Sequence, residues 1–240
     1  MQKEVFLKEE CAKIGIELNE RQIEQFLKYY ELLVEWNKVM NLTGITEYKE
    51  VVIKHFVDSL SLVKVMNLKG KKAKVIDLGT GAGFPGIPLK IAFPECEFLL
   101  VDSLNKRVKF LQEVINQLEL SNITALHGRA ETLGKNAEYR EQFDICVSRA
   151  VANMAVLAEY CIPFVKVGGM FLPYKSGEIK EELQGSKKAL SILGGELGEV
   201  TYFELPDTDI KRAIVSVKKI THTGKAYPRN DGKPSKEPLK

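Results

Sequence analysis

The sequence predicts an α/β fold, in which a helical N-terminal extension precedes a mostly parallel seven-stranded sheet that ends in an antiparallel hairpin. Three observations carry this prediction. Helical spacing of apolar residues dominates residues 1–66, short apolar runs then alternate with helical segments, and the last two runs lie close together in the chain. Strand–helix alternation favours a parallel sheet with right-handed crossovers, whereas two adjacent strands favour a hairpin.

The N-terminal extension, residues 1–66, is expected to be helical. Apolar residues recur at spacings of three and four between Arg21 and Val39, which is typical of an amphipathic helix, and Asn19 is a suitable N-cap. A second helical stretch is expected from Thr46 to Met66. The polar, basic segment Asn67–Lys74 follows it and marks the expected boundary of the next unit.

The central unit, residues 67–220, alternates strands with helices. The pattern predicts strands at 74–78, 97–101, 123–126, 143–147, 169–173, 196–205 and 212–220, with helices at 85–93, 106–119, 130–133, 153–165 and 177–193. Only Pro206–Asp209 separates the last two strands, so they are expected to pair antiparallel. The remaining residues, 221–240, form a basic tail with three prolines, which is expected to be loose in the free protein.

Composition excludes several classes of protein. The 240 residues, 45% of them apolar, suffice for one α/β domain with an extension, and we expect a monomer. The four cysteines form no C-x-x-C pair and the three histidines have no metal-ligand spacing, so neither a disulfide framework nor a metal site is expected. The N-terminus lacks the apolar region of a signal peptide and no run of 18 apolar residues occurs, so the expected location is cytoplasmic, away from membranes.

Charge is unevenly distributed along the chain. Residues 211–240 hold nine Lys or Arg against Asp231 and Glu237, a net charge of +7, so the rest of the chain carries −4 of the total of +3. The basic end is a candidate contact for a polyanion. The alternative is a solvated tail that aids solubility.

A glycine-rich turn follows the first predicted strand, from Asp77 to Gly86. Gly79, Gly81 and Gly83 allow the backbone to approach a ligand closely, because no Cβ intervenes. Open α/β sheets bind ligands at the carboxyl ends of their strands, so the turn is a candidate cofactor site. The alternative is that these glycines serve only a tight turn.

Two cofactors fit this turn. Gly81, Gly83 and Gly86 match the G-x-G-x-x-G pattern of dinucleotide sites, and Asp102 can accept hydrogen bonds from both ribose hydroxyls of either NAD or S-adenosylmethionine. Asp77 favours S-adenosylmethionine, because a carboxylate suits its ammonium end and is unfavourable beside a pyrophosphate. The closing antiparallel hairpin favours the same choice, and we predict a Rossmann-like fold of class I S-adenosylmethionine-dependent methyltransferases.

The chain resembles the RsmG (GidB) family over nearly its whole length. The order and spacing of eight segments carry the resemblance: Trp36–Asn37, Asn41–Thr43, His55–Leu60, Asp77–Gly86, Val101–Arg107, Gly128–Glu131, Ser148–Ala152 and Tyr227–Arg229. The resemblance implies an enzyme that uses S-adenosylmethionine to methylate N7 of a guanine (position 527 in the RNA's own numbering) in 16S ribosomal RNA, free or in the small subunit. The segment Tyr174–Gly177 departs from the family pattern, in which the lysine is followed directly by glycine.

The resemblance also implies roles for individual residues. Gly79 and Phe84 are expected to contact the cofactor, and Ala130 and Glu131 to line its adenine. Phe84 could instead fill the core under a helix, and Glu131 could serve a helix dipole. Arg149, after the fourth strand, can form a two-pronged contact with the cofactor carboxylate or with an RNA phosphate, the alternative being a surface salt bridge.

His55 and Asp58, three residues apart on a helix, are expected to form a structural contact between the extension and the core. No catalytic residue is expected, because guanine N7 presents a free lone pair and no proton has to leave before attack.

RNA binding is expected to combine several basic regions. The single-residue candidates are Lys106, Arg107, Lys175, Arg212 and Arg229, together with the linker Lys69–Lys74 and the tail from Lys218. Removal of the tail after Lys219 is expected to weaken RNA binding and to leave cofactor affinity nearly intact.

The residues alone leave other functions possible. The protein could methylate another RNA or a small molecule, act as an NAD-linked reductase, or bind RNA without catalysis.

Overall fold

A single sheet of seven strands organises the chain, in the order β3-β2-β1-β4-β5-β7-β6. The computed structural model describes residues 2–149 and 152–239, so Met1, Ala150, Val151 and Lys240 lie outside the description. The strands are β1 Lys74–Leu78, β2 Glu97–Asp102, β3 Ile123–His127, β4 Phe143–Ser148, β5 Val165–Ser176, β6 Gly195–Glu204 and β7 Lys211–Lys219.

Strand pairing confirms the predicted topology. Strands β1 to β5 are parallel, whereas β7 runs antiparallel to both β5 and β6. The carboxyl ends of the five parallel strands therefore meet at one edge of the sheet, together with the first residues of β7. The opposite edge holds the linker before β1 and the end of β7.

Helices cover both faces of the sheet. Those within the described residues are α1 Gln2–Lys13, α2 Glu20–Met40, α3 Tyr48–Val51, α4 Asp58–Leu60, α5 Gly86–Ala92, α6 Asn105–Gln117, α7 Ala130–Leu133, α8 Met154–Cys161, α9 Lys180–Ile192 and α10 Lys233–Lys236. Short 3₁₀ turns lie at Ser61–Lys64 and Ile162–Phe164. Helices α2, α5 and α6 pack on one face, and α8 and α9 on the other.

Helix α2 begins as its sequence predicts. The Asn19 side chain accepts from Gln22 N at 2.9 Å, and the Gln22 side chain accepts from Asn19 N at 2.9 Å, which completes a capping box. Phe26, Tyr29 and Leu33 of α2 are buried in the same core as the sheet residue Leu100. The N-terminal extension therefore shares the core of the sheet.

The second helical stretch predicted for the extension, from Thr46 to Met66, is confirmed from Tyr48 to Lys64, but its hydrogen-bonding pattern changes along its length. A π-helical turn, Val52–Val57, separates α3 from α4. Hydroxyl groups compete for backbone carbonyls here: Ser59 Oγ donates to His55 O at 2.5 Å, and Ser61 Oγ donates to Val57 O at 2.9 Å. Such bonds offer the carbonyls an alternative to regular helical partners.

The tail is docked on the core, which corrects the expectation that it is loose. The guanidinium of Arg140 donates to the carbonyls of Thr223 and Tyr227, at 2.6 and 2.8 Å. Pro234 is buried, and α10 packs against α8. Hydrogen bonds from the half-buried Arg140 and the burial of Pro234 thus hold a segment whose composition alone suggests disorder.

Across residues 2–149 and 152–239, no helix combines the length and apolar character needed to cross a membrane. Within those same ranges, His, Cys, Asp and Glu form no group of three or more that could hold a metal ion.

Candidate functional site

A cavity of about 410 Å³ opens at the carboxyl edge of the sheet, over the ends of β1, β2 and β3. Helices α7 and α8 form its outer walls. Its lining residues are Leu78, Gly79, Val101, Asp102, Ser103, Leu104, Gly128, Arg129, Ala130, Glu131, Ala152, Leu157, Tyr160 and Cys161. This edge is where an open α/β sheet binds its ligand.

Gly79 forms the floor of the cavity beside β2. Its N–H donates to Val101 O at 2.9 Å, and the neighbouring Thr80 N–H donates to the same carbonyl at 3.2 Å. Gly79 has φ +72°, and a Cβ placed on it would meet no atom within 4 Å. The missing side chain therefore leaves open space for a ligand, as the sequence predicts for this glycine.

Asp102 presents a fixed carboxylate to the same cavity. Its Oδ1 accepts from Leu104 N at 2.9 Å and its Oδ2 accepts from Gly81 N at 3.0 Å, so β2 and the glycine turn hold one side chain. Arg107 Nη1 lies 3.4 Å from Oδ2. Each carboxylate oxygen has further acceptor capacity, which suits ribose hydroxyls.

Asp77 lies behind the glycine turn, fully buried. Its Oδ2 accepts from Thr80 Oγ1 at 2.6 Å and from Gly86 N at 2.8 Å. Its Oδ1 has no hydrogen-bond partner among the described residues, and burial raises the pKa of Asp77 to about 7. A buried oxygen without a partner is costly, and a cationic ligand group near the turn would relieve that cost. The turn and Asp102 thus fit S-adenosylmethionine.

Gly83 and Phe84 face the protein interior, away from the cavity. A Cβ on Gly83 would lie 2.6 Å from Ile87 Cγ1 and 2.8 Å from the Tyr29 hydroxyl. The Phe84 ring is buried and stacks on His55, with the ring centroids 4.5 Å apart. The alternative interpretation of Phe84, core packing, fits these contacts, and close packing against Tyr29 explains the need for glycine at 83.

Tyr29 is a site-supporting residue that the sequence did not reveal. Its phenol is fully buried and donates to Ala82 O in the glycine turn at 2.5 Å. Its ring packs on Phe56 and Phe84 at centroid distances of 5.5 Å. The helical period of α2 shows only that Tyr29 is near the inner face, so no pattern identified its partner.

Arg149 lies in an internal charge cluster that joins the extension to β4. Its Nη1 donates to Asp58 Oδ2 at 2.9 Å and to Lys54 O at 3.2 Å. Arg212 Nε donates to the other Asp58 oxygen at 3.0 Å. His55 lies beside Arg149, and burial followed by the charge of Arg149 lowers the pKa of His55 to about 4.

This cluster confirms the expected structural contact of His55 and Asp58. Arg149 keeps part of its side chain accessible in this cluster, and its expected contact with the cofactor carboxylate or with an RNA phosphate stays a prediction.

The RNA candidates separate into exposed and internal residues. Lys106 is exposed and Arg107 is partly exposed, both at the carboxyl edge. Lys175 is only 9% exposed, and its ammonium donates to Ala152 O at 2.6 Å and to Glu182 at 2.5 Å. Arg229 forms an ion pair with buried Glu159. Lys175 and Arg229 thus both have carboxylate partners inside the protein, and their expected phosphate contacts stay predictions.

The basic linker Lys69–Lys74, another RNA candidate, lies far from the cavity in the structure. It precedes β1 and therefore lies at the edge of the sheet opposite the cavity. Although the linker is close to the glycine turn in sequence, none of its residues lines the cavity.

The sequence located four of the cavity's residues, Gly79, Asp102, Ala130 and Glu131. Ser103 and Arg129 adjoin the predicted residues Asp102 and Ala130, so their positions could have indicated a role. Tyr160, with Leu157 and Cys161, comes from α8. No motif marks these α8 residues, since only the packing of α8 beside β4 brings them to the cavity.

Comparison with the sequences of known proteins shows the family of this chain. A family model described as "GidB: rRNA small subunit methyltransferase G" matches residues 22–215. A protein of Lachnoclostridium phytofermentans named ribosomal RNA small subunit methyltransferase G is 58% identical over 94% of this chain and 93% of its own length. One of the same name from Alkaliphilus metalliredigens is 48% identical over the full length of both chains.

Among solved structures, TYW2 of M. jannaschii in complex with AdoMet is similar in fold. The TM-score is 0.53 at 14% identity, over 68% of this chain and 77% of that one. This likeness supports the methyltransferase fold that the topology indicates. Because the family match spans most of the chain and the relatives align nearly end to end, the chain belongs to the rRNA small subunit methyltransferase G (GidB) family.

Proposed function

We propose that this protein transfers a methyl group from S-adenosylmethionine to N7 of a guanine, position 527, in 16S ribosomal RNA of the small subunit. The observation that carries the proposal is the cavity at the carboxyl edge, where Gly79 and Asp102 meet in a chain of this family. An NAD-linked reductase is not favoured, because the chain belongs to a family of rRNA methyltransferases.

Different residues of the cavity would contact different parts of the cofactor. Gly79 gives its backbone close approach to the ligand, and Asp102 offers carboxylate oxygens to ribose hydroxyls. Ala130 and Glu131 on one wall and Tyr160 on the other enclose the region next to Asp102, which suits an adenine ring. The glycine turn, whose backbone and Thr80 side chain donate hydrogen bonds to Asp77, would lie nearest the amino-acid end of S-adenosylmethionine.

The reaction depends mainly on alignment of guanine N7 with the methyl group of the cofactor. Bound S-adenosylmethionine supplies an electrophilic methyl group on a sulfonium. The guanine N7 lone pair lies in the plane of the base, so no residue has to remove a proton before attack. The protein therefore has to orient the base in line and exclude water, and a carboxylate such as that of Glu131 favours the cationic product electrostatically.

The RNA is proposed to approach over the cations that border the cavity. Arg129 lines the cavity and is exposed, and Lys106 and Arg107 begin helix α6 at the same edge. Contacts from such side chains to phosphates give affinity without sequence choice. The target base has to be unstacked, because N7 must reach the cavity over β1.

The test is transfer of radiolabelled methyl to small subunits from a strain lacking this gene, followed by mapping of the modified base. The site variant is Asp102→Asn, and Glu97→Gln is its control, because Glu97 is an exposed acid at the other end of the same strand. We expect label on N7 of guanine 527 with wild type and with Glu97→Gln, and strongly reduced label with Asp102→Asn. Label on another nucleotide, or none on subunits and free RNA, contradicts the proposal.

A further inference from the structure

The C-terminal segment from Tyr227 to Leu239, here called the strap, crosses the outer side of the cavity wall. Its helix α10 packs on helix α8, and Leu239 packs against the core cluster that includes Leu157 and Cys161 of α8. Helix α8 contributes Leu157, Tyr160 and Cys161 to the cavity. The strap therefore contacts a helix that also lines the proposed cofactor site.

The strongest attachment joins Arg229 of the strap to Glu159 of α8. Glu159 is 0% exposed and accepts three hydrogen bonds from Arg229: from the backbone N and from Nε to Oε1, both at 2.8 Å, and from Nη2 to Oε2 at 2.7 Å. The planar fork of arginine matches a carboxylate in this geometry, whereas a lysine ammonium cannot form both side-chain bonds.

The neighbour of Glu159 connects this ion pair to the cavity. Tyr160 lines the cavity, and its hydroxyl lies 3.0 Å from Ser235 Oγ of the strap. Because Glu159 and Tyr160 are neighbours on α8, the ion pair holds the backbone that carries Tyr160, and the contact with Ser235 holds the Tyr160 hydroxyl.

A second attachment reaches the opposite wall. Arg140 Nη1 donates to Tyr227 O of the strap at 2.8 Å and to Gly134 O at 2.7 Å. Gly134 ends helix α7, whose Ala130 and Glu131 line the cavity. A Cβ on Gly134 would lie 3.0 Å from Pro228 Cγ, so strap and α7 are in contact. The strap thus ties together the two helices that enclose one end of the cavity.

We propose that Arg229 is a positioning residue for the cofactor cavity: it holds α8, and with it Tyr160, against the strap. This inference rests on the proposed function only in assigning S-adenosylmethionine to the cavity. It reverses the expectation that tail removal leaves cofactor affinity intact, since loss of Arg229 leaves a buried carboxylate without a partner under the cavity wall.

Arg229→Lys is the decisive variant, because it keeps the positive charge but replaces the planar guanidinium that bonds both oxygens of Glu159. In the full-length protein, we expect the Kd for S-adenosylmethionine, measured by calorimetry, to rise about tenfold, in line with loss of a buried charge-assisted hydrogen bond. The salt dependence of RNA binding should stay unchanged. Lys225→Gln is the matched control: Lys225 is an exposed cation just before the strap, and its Kd for the cofactor should equal that of wild type.

Hydrogen exchange of the α8 amides in ligand-free protein gives a readout that does not depend on the cofactor. We expect faster exchange at residues 157–161 in Arg229→Lys than in Lys225→Gln. Should a single variant fail to fold, the pair Glu159→Gln with Arg229→Gln leaves no buried charge, and it should fold and show the same loss of cofactor affinity.

Unchanged exchange and unchanged cofactor Kd in Arg229→Lys, with weaker RNA binding in Arg229→Gln, would overturn the inference and return Arg229 to the RNA surface. Failure of the proposed function looks different. Wild type would then bind no S-adenosylmethionine, while exchange in α8 would still report whether the strap holds that helix.

Discussion

The phenol of Tyr29 donates a 2.5 Å hydrogen bond to the carbonyl of Ala82, between a helix of the N-terminal extension and the glycine turn of the sheet domain. The two residues are 53 positions apart and the bond is buried. The extension is therefore part of the framework of the proposed cofactor site, because one of its side chains fixes the backbone of the turn.

Replacing Tyr29 by Phe should weaken cofactor binding. The ring packing survives, but Ala82 O loses a buried donor, at a cost of about 1–2 kcal/mol in the free energy of unfolding. We expect the Kd for S-adenosylmethionine to rise several-fold in calorimetry. Tyr202→Phe, on the exposed edge strand β6, removes the same hydroxyl and should change neither quantity. Equal cofactor affinity in wild type and Tyr29→Phe would refute the role given to this bond.

Two glycines of the turn should respond differently to alanine. Gly79→Ala places a methyl group in the open cavity, so cofactor affinity should fall with a stability loss of only about 1 kcal/mol from its positive φ. Gly83→Ala drives a Cβ against Ile87 and the Tyr29 hydroxyl, so the Tm should fall more. Calorimetry and thermal unfolding of both variants separate these effects. A larger Tm loss in Gly79→Ala than in Gly83→Ala contradicts the assignment.

Asp77 should give stability a definite pH dependence. Burial raises its folded-state pKa from 3.8 to about 7, so between these values the folded protein binds a proton that the unfolded chain lacks. Its contribution to the free energy of unfolding is therefore present below pH 4 and is lost as the pH rises to 7, by roughly 4 kcal/mol at most. His55 has the opposite trend, because its lowered pKa makes stability fall as the pH drops from 6.5 to about 4.

Asp77→Asn isolates this effect, because the contribution of His55 is common to both proteins. The Tm of the variant minus that of wild type should increase between pH 5 and pH 8. A difference that is flat or decreasing over this range would show that Asp77 ionises normally in the folded protein.

Lys106 and Lys69 test which edge of the sheet meets RNA. Both are exposed lysines, but Lys106 lies at the cavity edge and Lys69 precedes β1 at the other edge. Lys106→Ala should reduce the slope of log K against log salt by about one, with the cofactor Kd unchanged. Lys69→Ala should leave the slope as in wild type. The reverse pattern would place RNA on the linker edge.

Local patterns were sufficient for the architecture of this chain. Alternating apolar runs and the Asp77–Gly86 turn predict the strands, the helices and a mostly parallel sheet that ends in an antiparallel hairpin, because each depends on neighbouring residues and on rules of chain connection. The same logic located Gly79 and Asp102, since a residue at the carboxyl end of a strand must face the ligand edge.

Tertiary packing alone decided which charged and aromatic side chains serve the surface and which serve the interior. Sequence patterns indicate a cofactor or RNA contact for Arg149 and RNA contacts for Lys175 and Arg229. In the structure these three side chains pair with Asp58, Glu182 and Glu159. These partners are 7 to 91 residues away in the chain. The Arg149–Asp58 and Arg229–Glu159 pairs depend on where two distant segments meet, and no local periodicity predicts such a contact.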